Sequence, residues 1–331
     1  MIKCLELNIS EACNYDCVYC IFKRNSITNR LMSPIKACYY AEKYAEYLNG
    51  RQGHIYFGAG EPLLNWDAIV AVSDCVKNES NLWLSFMTNA SLMTEEKIDF
   101  IKERNISVGV SLDGREYTQL SNRPCIVDNI DSYKAVIDFL ELAKKKRYQI
   151  YSISSTYNRP GFFNDAQYVM ELCEKYNIKE FDLDYDICGL TEDNIDRVAD
   201  ELVRSYLLAT SKKLEVFGYW LLPIINSKEA DINKRNYCGN SRGNNVCISA
   251  DGLCKICGYD PENYGCFDSF NSFGDARMQV AMLEYNKRHG ECVECECYDV
   301  CFGQCIFQNR ESNAYKLNCK LIKKILNIIR G

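Results

Sequence analysis

Histidine is nearly missing from this chain of 331 residues, which has only His54 and His289. A metal centre must therefore draw its ligands mainly from other side chains, although imidazole is the commonest protein ligand for metals such as zinc. Long basic runs are missing as well, and the formal net charge is −6. The sequence thus lacks the positive surface that binds nucleic-acid phosphates, and we expect no nucleic-acid partner.

A signal peptide and a membrane-spanning stretch are also lacking. The first residues do not follow the signal-peptide pattern, and no apolar run approaches the length that crosses a bilayer. We therefore expect a cytoplasmic protein with no membrane partner. What the chain does have is 20 cysteines. Because the cytosol keeps thiols reduced, these are expected to bind metal, and the shortage of histidine favours iron–sulfur centres over zinc.

Three of these cysteines lie in one short loop near the N terminus. Cys13, Cys17 and Cys20 follow a C-x3-C-x2-C spacing, directly after the alternating run Leu5–Ile9. Three thiolates on such a loop can hold three corners of a cubic four-iron cluster and leave the fourth iron open for a ligand. Structural zinc is the alternative, but zinc prefers a closed shell of four ligands and no fourth Cys or His lies nearby.

Strand-like and helix-like runs alternate from Lys3 to about Ile187, which predicts βα units around a parallel sheet. The expected strands are Cys4–Ile9, His54–Phe57, Leu82–Met87, Ile106–Leu112, Gln149–Thr156 and Phe181–Ile187. The expected helices are Pro34–Asn49, Trp66–Asn78, Thr94–Glu103, Ile130–Lys146 and Phe163–Tyr176. One face of these strands is apolar and the other polar, whereas a closed eight-stranded barrel is filled with Val, Ile and Leu. The pattern predicts an open, six-stranded partial (β/α)6 barrel with a polar lumen.

Three carboxylates share the polar face of the sixth predicted strand. They are Asp182, Asp184 and Asp186, which alternation at period two places on one side. Carboxylates held close together raise one another's pKa, which suits a general base. They could equally bind a cationic group or pair with lysine or arginine. We predict them as candidate catalytic residues without choosing among them.

Cysteine becomes dense again in the last third of the chain. The positions there are Cys238, Cys247, Cys254, Cys257, Cys266, Cys292, Cys295, Cys297, Cys301, Cys305 and Cys319. We therefore predict a barrel module over residues 1–213, a connector over 214–235 and a cysteine-rich module over 236–331. Zinc is the alternative for this module, because C-x2-C pairs suit it.

The segment C-N-Y-D-C-V-Y-C that ends at Cys20 resembles the signature of the radical S-adenosylmethionine (SAM) superfamily. The resemblance implies a partial (β/α)6 barrel in which SAM binds the open iron and is cleaved to a 5′-deoxyadenosyl radical. It also implies that Tyr19 lies beside the adenine. The run Gly58-Ala-Gly60-Glu61-Pro is similar to the family's G-G-E-P motif, which holds the methionine amino group. Ala59 replaces a glycine of that motif, and we expect this departure to matter little.

Two further segments resemble family motifs at strand ends. Thr88-Asn89-Ala is similar to T-N-G, and Ser111-Leu-Asp113-Gly is similar to S-L-D-G, segments that reach the ribose and carboxylate of SAM. Asn89, Ser111 and Asp113 are therefore candidate SAM contacts, with a helix cap or turn as the alternative role of Asn89 and Asp113. Arg123 is a candidate cation for SAM or substrate, and a solvated surface arginine is the alternative.

The cysteine spacing of the last third matches the SPASM extension of peptide-modifying radical SAM enzymes, which holds two auxiliary four-iron clusters. The resemblance assigns Cys238, Cys257 and Cys305 to the first, with Cys247, Cys254 or no residue as its fourth ligand. It assigns the second to Cys292, Cys295, Cys301 and Cys319. The expected fold is therefore α/β, a partial (β/α)6 TIM barrel with a C-terminal auxiliary iron–sulfur domain, and the expected cofactors are SAM and three [4Fe-4S] clusters.

The resemblance implies an oxidoreductase that removes a hydrogen atom from a residue of a peptide or protein. Our first hypothesis is maturation of a ribosomally made peptide through a thioether or carbon–carbon crosslink. The alternative is an anaerobic sulfatase-maturing enzyme, although Cys257 is followed by Gly258, where that subgroup has an Asp base. A third hypothesis, a non-enzymatic iron–sulfur carrier, leaves Gly58–Leu64 unexplained. Expected partners are the substrate and a flavodoxin or ferredoxin. Since the chain begins at the first strand, any recognition of a leader peptide is expected to use either the barrel or a separate peptide-recognition protein.

Overall fold

The computed structural model describes residues 1–24, 29–127, 130–231, 238, 243–260, 262–269, 292, 294–301, 303–305 and 312–330. Its strands are β1 (Cys4–Ser10), β2 (Gly53–Ala59), β3 (Leu82–Thr88), β4 (Ser107–Ser111), β5 (Ser152–Tyr157), β6 (Glu180–Tyr185), β7 (Glu215–Phe217), β8 (Asn245–Ile248) and β9 (Cys254–Lys255). Its α-helices are α1 (Ile21–Arg24), α2 (Pro34–Leu48), α3 (Trp66–Cys75), α4 (Glu95–Glu103), α5 (Glu116–Asn122), α6 (Ser132–Lys145), α7 (Phe163–Lys175), α8 (Ile195–Ser211), α9 (Leu222–Lys228), α10 (Tyr298–Cys301) and α11 (Asn313–Arg330).

All six predicted barrel strands and all five predicted helices are present, with ends that differ by a few residues. The segment predicted as a connector contains β7 and α9. Helix α2 shows why the pattern was readable. It starts with Pro34, whose missing N–H costs nothing in the first turn, and Asn49 ends it in the left-handed region. Its buried side chains recur every three or four residues, at Ala37, Tyr40, Ala41, Tyr44 and Leu48.

The chain packs as two compact units. The first comprises the described residues of 1–110, 123–150 and 239–285. Its strands lie in the order β4-β3-β2-β1-β8-β9, all parallel except β9, which is antiparallel to β8. Strand β8 therefore joins the cysteine-rich end of the sequence directly to the first strand of the sheet, with Glu6 opposite Cys247.

The second unit comprises the described residues of 111–122, 151–238 and 286–331. Strands β5, β6 and β7 are parallel and adjacent in that order. Helix α11 packs against α8, and α10 packs against α9, where the Asn226 side chain donates to the Val300 carbonyl at 2.6 Å. The two units do not run continuously along the sequence, so the module boundaries at 213 and 235 stay a prediction.

The predicted difference between the two strand faces is present. Leu5, Leu7 and Phe57 on the apolar face are fully buried, whereas Glu6 and Tyr56, which are register partners on the polar face, are half-buried. Alternation at period two therefore sorts these strands as the sequence predicts. Among the helices of the described ranges, none has both the length and the apolar character needed to cross a membrane.

Candidate functional site

The loop Glu11–Cys20, called the cluster loop below, connects β1 to α1 and carries three of the predicted ligands. Its backbone is pinned by the segment that follows α5. The Asp16 N–H donates to the Pro124 carbonyl at 2.7 Å, and the Ile126 N–H donates to the Asn14 carbonyl at 2.9 Å. These bonds connect the backbone of the cluster loop to the chain that follows α5.

The thiols of the cluster loop form one electrostatic group. Burial raises the pKa of Cys13 to about 12, against a lowering hydrogen bond from the Tyr15 N–H, and the nearby Glu61, Cys17 and Cys20 raise it further. Thiols that oppose one another's ionisation are a donor set for a cation, since binding a metal displaces their protons. Three sulfur ligands on one loop fit a four-iron cluster with one open iron.

The turn after β2 lies directly on the cluster loop. The N–H groups of Gly60 and Glu61 donate to the carbonyls of Ser10 and Ala12, at 2.7 and 2.8 Å. A side chain at Gly60 would place its Cβ 2.0 Å from the Ala12 oxygen, which no residue but glycine avoids. The family-like glycine at this position is therefore required by the close backbone approach.

Glu61 is buried, with 1% of its surface exposed. Its carboxylate accepts hydrogen bonds from Thr88 Oγ1 at 2.7 Å, the Asn89 N–H at 2.8 Å and the Leu63 N–H at 3.1 Å. Burial raises the pKa of this carboxyl, and these donors together with the charge of Lys97 lower it. Three of its roughly four acceptor positions are thus used within the chain. Glu61 ties the ends of β2 and β3 together, and its predicted contact with SAM stays a proposal.

Asn89 belongs to a closed set of side-chain hydrogen bonds beside the cluster loop. Its Nδ2 donates to Asn14 Oδ1 at 2.9 Å, Asn14 Nδ2 donates to Ser91 Oγ at 2.8 Å, and Ser91 Oγ donates to Asn89 Oδ1 at 2.7 Å. The Ser91 N–H also donates to Asn89 Oδ1 at 3.0 Å. The turn role weighed for Asn89 is therefore present, and its contact with SAM stays a proposal.

Asp113 is fully buried in the second unit. Its Oδ1 accepts from the Thr156 N–H at 3.0 Å, its Oδ2 accepts from Asn122 Nδ2 at 3.2 Å, and its own N–H donates to Gln119 Oε1 at 2.9 Å. These bonds join the segment after β4 to β5 and α5. Ser111, at the end of β4, is also buried. Their predicted contacts with SAM stay proposals.

Arg123 and Tyr19 form a pair in the first unit. The guanidinium carbon of Arg123 lies 5.3 Å from the centre of the Tyr19 ring, within the range of a cation–π contact. Arg123 is only 8% exposed, so the alternative of a solvated surface arginine is wrong. The structure thus brings together two residues that the sequence predicted separately.

The three predicted carboxylates of β6 and its end have different surroundings. Burial raises the pKa of Asp182 to about 7, and the charges of Asp184 and Glu180 raise it further. Burial also raises the pKa of Asp184 to about 6, although the Tyr219 N–H donates to it at 2.8 Å. Asp186 instead caps a 3-10 turn by accepting from the Cys188 N–H at 3.2 Å. Asp182 and Asp184 therefore have the pKa values of proton acceptors near neutral pH.

Four of the C-terminal cysteines group together in the second unit. Burial raises the pKa of Cys301 to about 12, and Cys319, Cys292 and Cys295 raise it further. Cys292 and Cys295 likewise raise the pKa of Cys319. These are the four residues that the resemblance assigns to the second auxiliary cluster. Four thiols with mutual electrostatic contact fit a Cys4 centre.

The set predicted for the first auxiliary cluster is described only in part. In the first unit, Cys247 and Cys254 are buried. Burial raises the pKa of Cys247 well above its usual range, and the nearby Cys257 and Cys254 raise it further. Cys238 and Cys305 belong to the second unit. The ligand set of this cluster stays a prediction.

Glu6 is a candidate that the sequence placed on the polar face without giving it a role. Burial raises its pKa to about 7, while a hydrogen bond from the Gly258 N–H, at 3.3 Å, and the charge of Lys255 lower it. A Cβ at Gly58 or Gly258 would come within 2.8 or 2.4 Å of Glu6 Oε1. Both glycines therefore leave space for this carboxylate. The available signal was a charged residue on the polar face of a strand that is central in the sheet.

Comparison with known proteins gives consistent results. The family model of the radical SAM superfamily matches residues 7–174, about half of the chain. The radical SAM cyclopropyl synthase TigE of Paramaledivibacter caminithermalis is 27% identical over 92% of this chain and 68% of its own length. A cysteine-type anaerobic sulfatase-maturating enzyme of Clostridium perfringens is 23% identical, over 93% of this chain and 90% of its own. The structure of anSMEcpe with bound AdoMet and the Cp18Cys peptide has a TM-score of 0.75 at 18% identity, and covers 99% of both chains.

The last of these likenesses establishes the fold. The chain is an α/β protein with the partial barrel of radical SAM/SPASM structures and a cysteine-rich C-terminal region. The fold class predicted from alternating runs and cysteine spacing is confirmed.

Two alanines at the ends of β2 and β3 have strained backbones. Ala59 has φ +74° and Ala90 has φ +67°, the left-handed region that costs a side-chain-bearing residue about 1–2 kcal/mol. Both stand where the resembling motifs have glycine. The departure at Ala59 therefore carries a backbone cost, and the expectation that it matters little for SAM binding stays a prediction.

We predict that Ala59→Gly raises the thermal unfolding midpoint of the anaerobically purified protein. The gain is at most about 1 kcal/mol, because relief of strain is partly offset by the greater freedom of glycine in the unfolded chain. For a chain of 331 residues that corresponds to a rise of up to about 1–2 °C. Ala135→Gly, inside α6, is the matched control and should lower the midpoint. A lower midpoint for Ala59→Gly would show that its φ carries no strain.

A second prediction concerns pH. The fold holds the proton of Asp182 up to about pH 7, whereas an unfolded aspartate loses it near pH 3.9. The stability this proton contributes is fully present below pH 3.9 and is lost as the pH rises to about 7. Asp182→Asn should therefore unfold at a higher temperature than the natural protein at pH 8, by up to about 6 °C, and the difference should shrink towards pH 4. Asp186→Asn, which also replaces a carboxylate but keeps a capping side chain, is the control variant. A difference that does not change with pH would contradict the assignment.

Proposed function

The chain belongs to the radical SAM superfamily, and from that premise we propose that it oxidatively modifies a residue of a peptide or protein. Membership of the family implies SAM and one four-iron cluster, and we propose that Cys13, Cys17 and Cys20 of the cluster loop bind that cluster. The two auxiliary clusters are part of the proposal. So is the assignment of the reaction as an oxidation.

The observation that carries the proposal is the grouping of Cys292, Cys295, Cys301 and Cys319 in one unit. A second redox centre has a clear use in an oxidation. Removing one hydrogen atom from a substrate carbon leaves a radical, and formation of a new bond requires one more electron and one proton to leave. A four-iron centre can accept that electron.

The bound cofactors would supply the deoxyadenosyl radical that takes the hydrogen atom, while side chains of this protein bind, orient and accept the proton. We assign the proton to the pair Asp182 and Asp184, whose pKa values of about 7 and about 6 suit a base at neutral pH. Arg123, held over Tyr19, offers a cation to a carboxylate of SAM or of the substrate.

Our first choice of product is a thioether or carbon–carbon crosslink in a ribosomally made peptide. Support comes from the relative named a cyclopropyl synthase, which aligns with 92% of this chain, since closing such a ring forms a carbon–carbon bond. The anSMEcpe structure of the same fold holds a peptide, which supports a peptide substrate. We further propose a flavodoxin or ferredoxin as electron donor and a separate protein for recognition of the peptide.

The second candidate is formation of formylglycine in a sulfatase. One relative is named an anaerobic sulfatase-maturating enzyme, and one observation in this chain favours the same reaction class. Gly258 lies where the sulfatase-maturing subgroup has an Asp base, and its N–H donates to the carboxylate of Glu6 at 3.3 Å. The carboxylate of Glu6, on β1, therefore lies beside Gly258, the position at which this chain lacks the Asp.

The first test is SAM cleavage. Reconstituted protein incubated anaerobically with SAM and a strong reductant should release 5′-deoxyadenosine, and Cys13→Ala should abolish release because the cluster loses one of three ligands. Cys188→Ala, at an exposed cysteine outside both predicted cysteine sets, is the control and should keep it. A non-enzymatic carrier would release none. Release from Cys13→Ala equal to that of the natural protein would remove the basis of the proposal.

The second test separates the radical step from the oxidation. Cys319→Ala should still release 5′-deoxyadenosine but contain less iron and sulfide, and it should not modify a peptide encoded beside the gene. Mass spectrometry of that peptide with the natural protein distinguishes the products. Loss of two hydrogen atoms without an aldehyde indicates a crosslink, whereas an aldehyde on a Cys or Ser indicates formylglycine. Full product formation by Cys319→Ala would contradict the role of the second auxiliary centre.

A further inference from the structure

Two outer helices of the first unit bring together a set of metal-ligand side chains that none of the predicted clusters uses. Cys38 and Glu42 lie on α2, and Cys75 is the last residue of α3. Their ligand atoms, two sulfurs and a carboxylate oxygen, all lie within 4.8 Å of one another. In sequence they lie between the cluster loop and the cysteine-rich C-terminal third.

The helices themselves create this arrangement. Residues four apart share one face of a helix, so Cys38 and Glu42 point the same way, and α3 packs against α2. The Cys75 thiol is fixed by its neighbours, since it lies 3.3 Å from the Val72 carbonyl oxygen and 3.7 Å from that of Cys38. All three side chains are therefore held by regular secondary structure, which places ligands more precisely than a loop does.

The surroundings of the three ligand atoms are rich in electronegative atoms. Two sulfurs, a carboxylate and two carbonyl oxygens converge there, and within the described ranges no ion pair is formed by Glu42. Its neighbour Lys43 pairs instead with Glu46 at 2.8 Å. Cys38 and Cys75 are half-buried and Glu42 is exposed, so an ion could enter from solvent and keep one position for water.

The spacing suits a small tetrahedral ion. Zinc–sulfur bonds of about 2.3 Å place two sulfurs about 3.8 Å apart around the metal, so atoms already within 4.8 Å need to move by only about 1 Å to close on it. Thiolates select zinc-class ions over magnesium and calcium, which prefer oxygen ligands only.

We propose that Cys38, Glu42 and Cys75 bind one zinc-class divalent ion, with water as the fourth ligand, and that the ion clamps α2 to α3. Its binding converts two thiols to thiolates and releases their protons, with no change in oxidation state. The site is separate from the proposed chemistry and does not depend on it.

Zinc content of the cluster-loaded protein tests this site, because the iron–sulfur ligands are then already occupied. The protein is given excess Zn²⁺ anaerobically, passed over a column, and analysed for zinc and iron by mass spectrometry. We expect one more zinc per chain in the natural protein than in the double variant Cys38→Ser/Cys75→Ser, with equal iron. Cys188→Ser, at an exposed cysteine, is the matched control and should retain the zinc.

Glu42→Gln keeps both thiols and lies at an exposed position where folding should not suffer. Competition with a chelator should show at least tenfold weaker zinc binding in this variant. Zinc should also raise the unfolding midpoint of the natural protein but not of the double variant, because an ion that binds only the folded state stabilises it. Equal zinc in all variants would overturn the proposal. So would a Cys38–Cys75 disulfide in the purified protein together with no zinc uptake after its reduction.

Discussion

The buried carboxylate of Glu61 is the interaction on which the first unit depends. It accepts from Thr88, Asn89 and Leu63, so a single side chain sets the ends of β2 and β3 relative to each other. The next residue towards the N terminus, Gly60, lies against the cluster loop through the carbonyls of Ser10 and Ala12. The Glu61 carboxylate therefore helps to position the turn that contacts the cluster loop, and it does so through hydrogen bonds within the chain. A buried carboxylate with all these donors is costly to disturb, because removing it leaves several polar groups unpaired.

Three places in the described part of the chain bring acidic groups close together. The pKa values of Cys13 in the cluster loop, Cys301 in the C-terminal group and Asp182 in β6 are each raised by burial and raised further by neighbouring acidic groups. Such an arrangement is expensive in a protein without ligands, since each group opposes the ionisation of the next. It becomes favourable once metal clusters supply positive charge. These groups thus lower the stability of the protein without cofactors and raise its affinity for metal clusters.

Local patterns explain what the sequence could predict. The spacing of Cys13, Cys17 and Cys20 and the alternation in β1 to β6 depend on neighbours within a few residues, and both were readable. Features created by distant contacts were not. Burial of Arg123 depends on its packing with Tyr19, and the environment of Glu6 depends on Gly258, about 250 residues further along. The left-handed backbone of Ala59 was hidden because alanine gives no signal of it, and the capping role of Asp186 depends on where β6 ends.

The pairing of β1 with β8 has a consequence for how the protein is made. Strand β1 is translated more than 200 residues before β8, one of its two neighbours in the sheet. Contacts between such distant segments form slowly, so the sheet beside the cluster loop is incomplete until β8 has been made. A four-iron cluster inserted at the cluster loop before that point would therefore meet a sheet that lacks one of the strands next to β1.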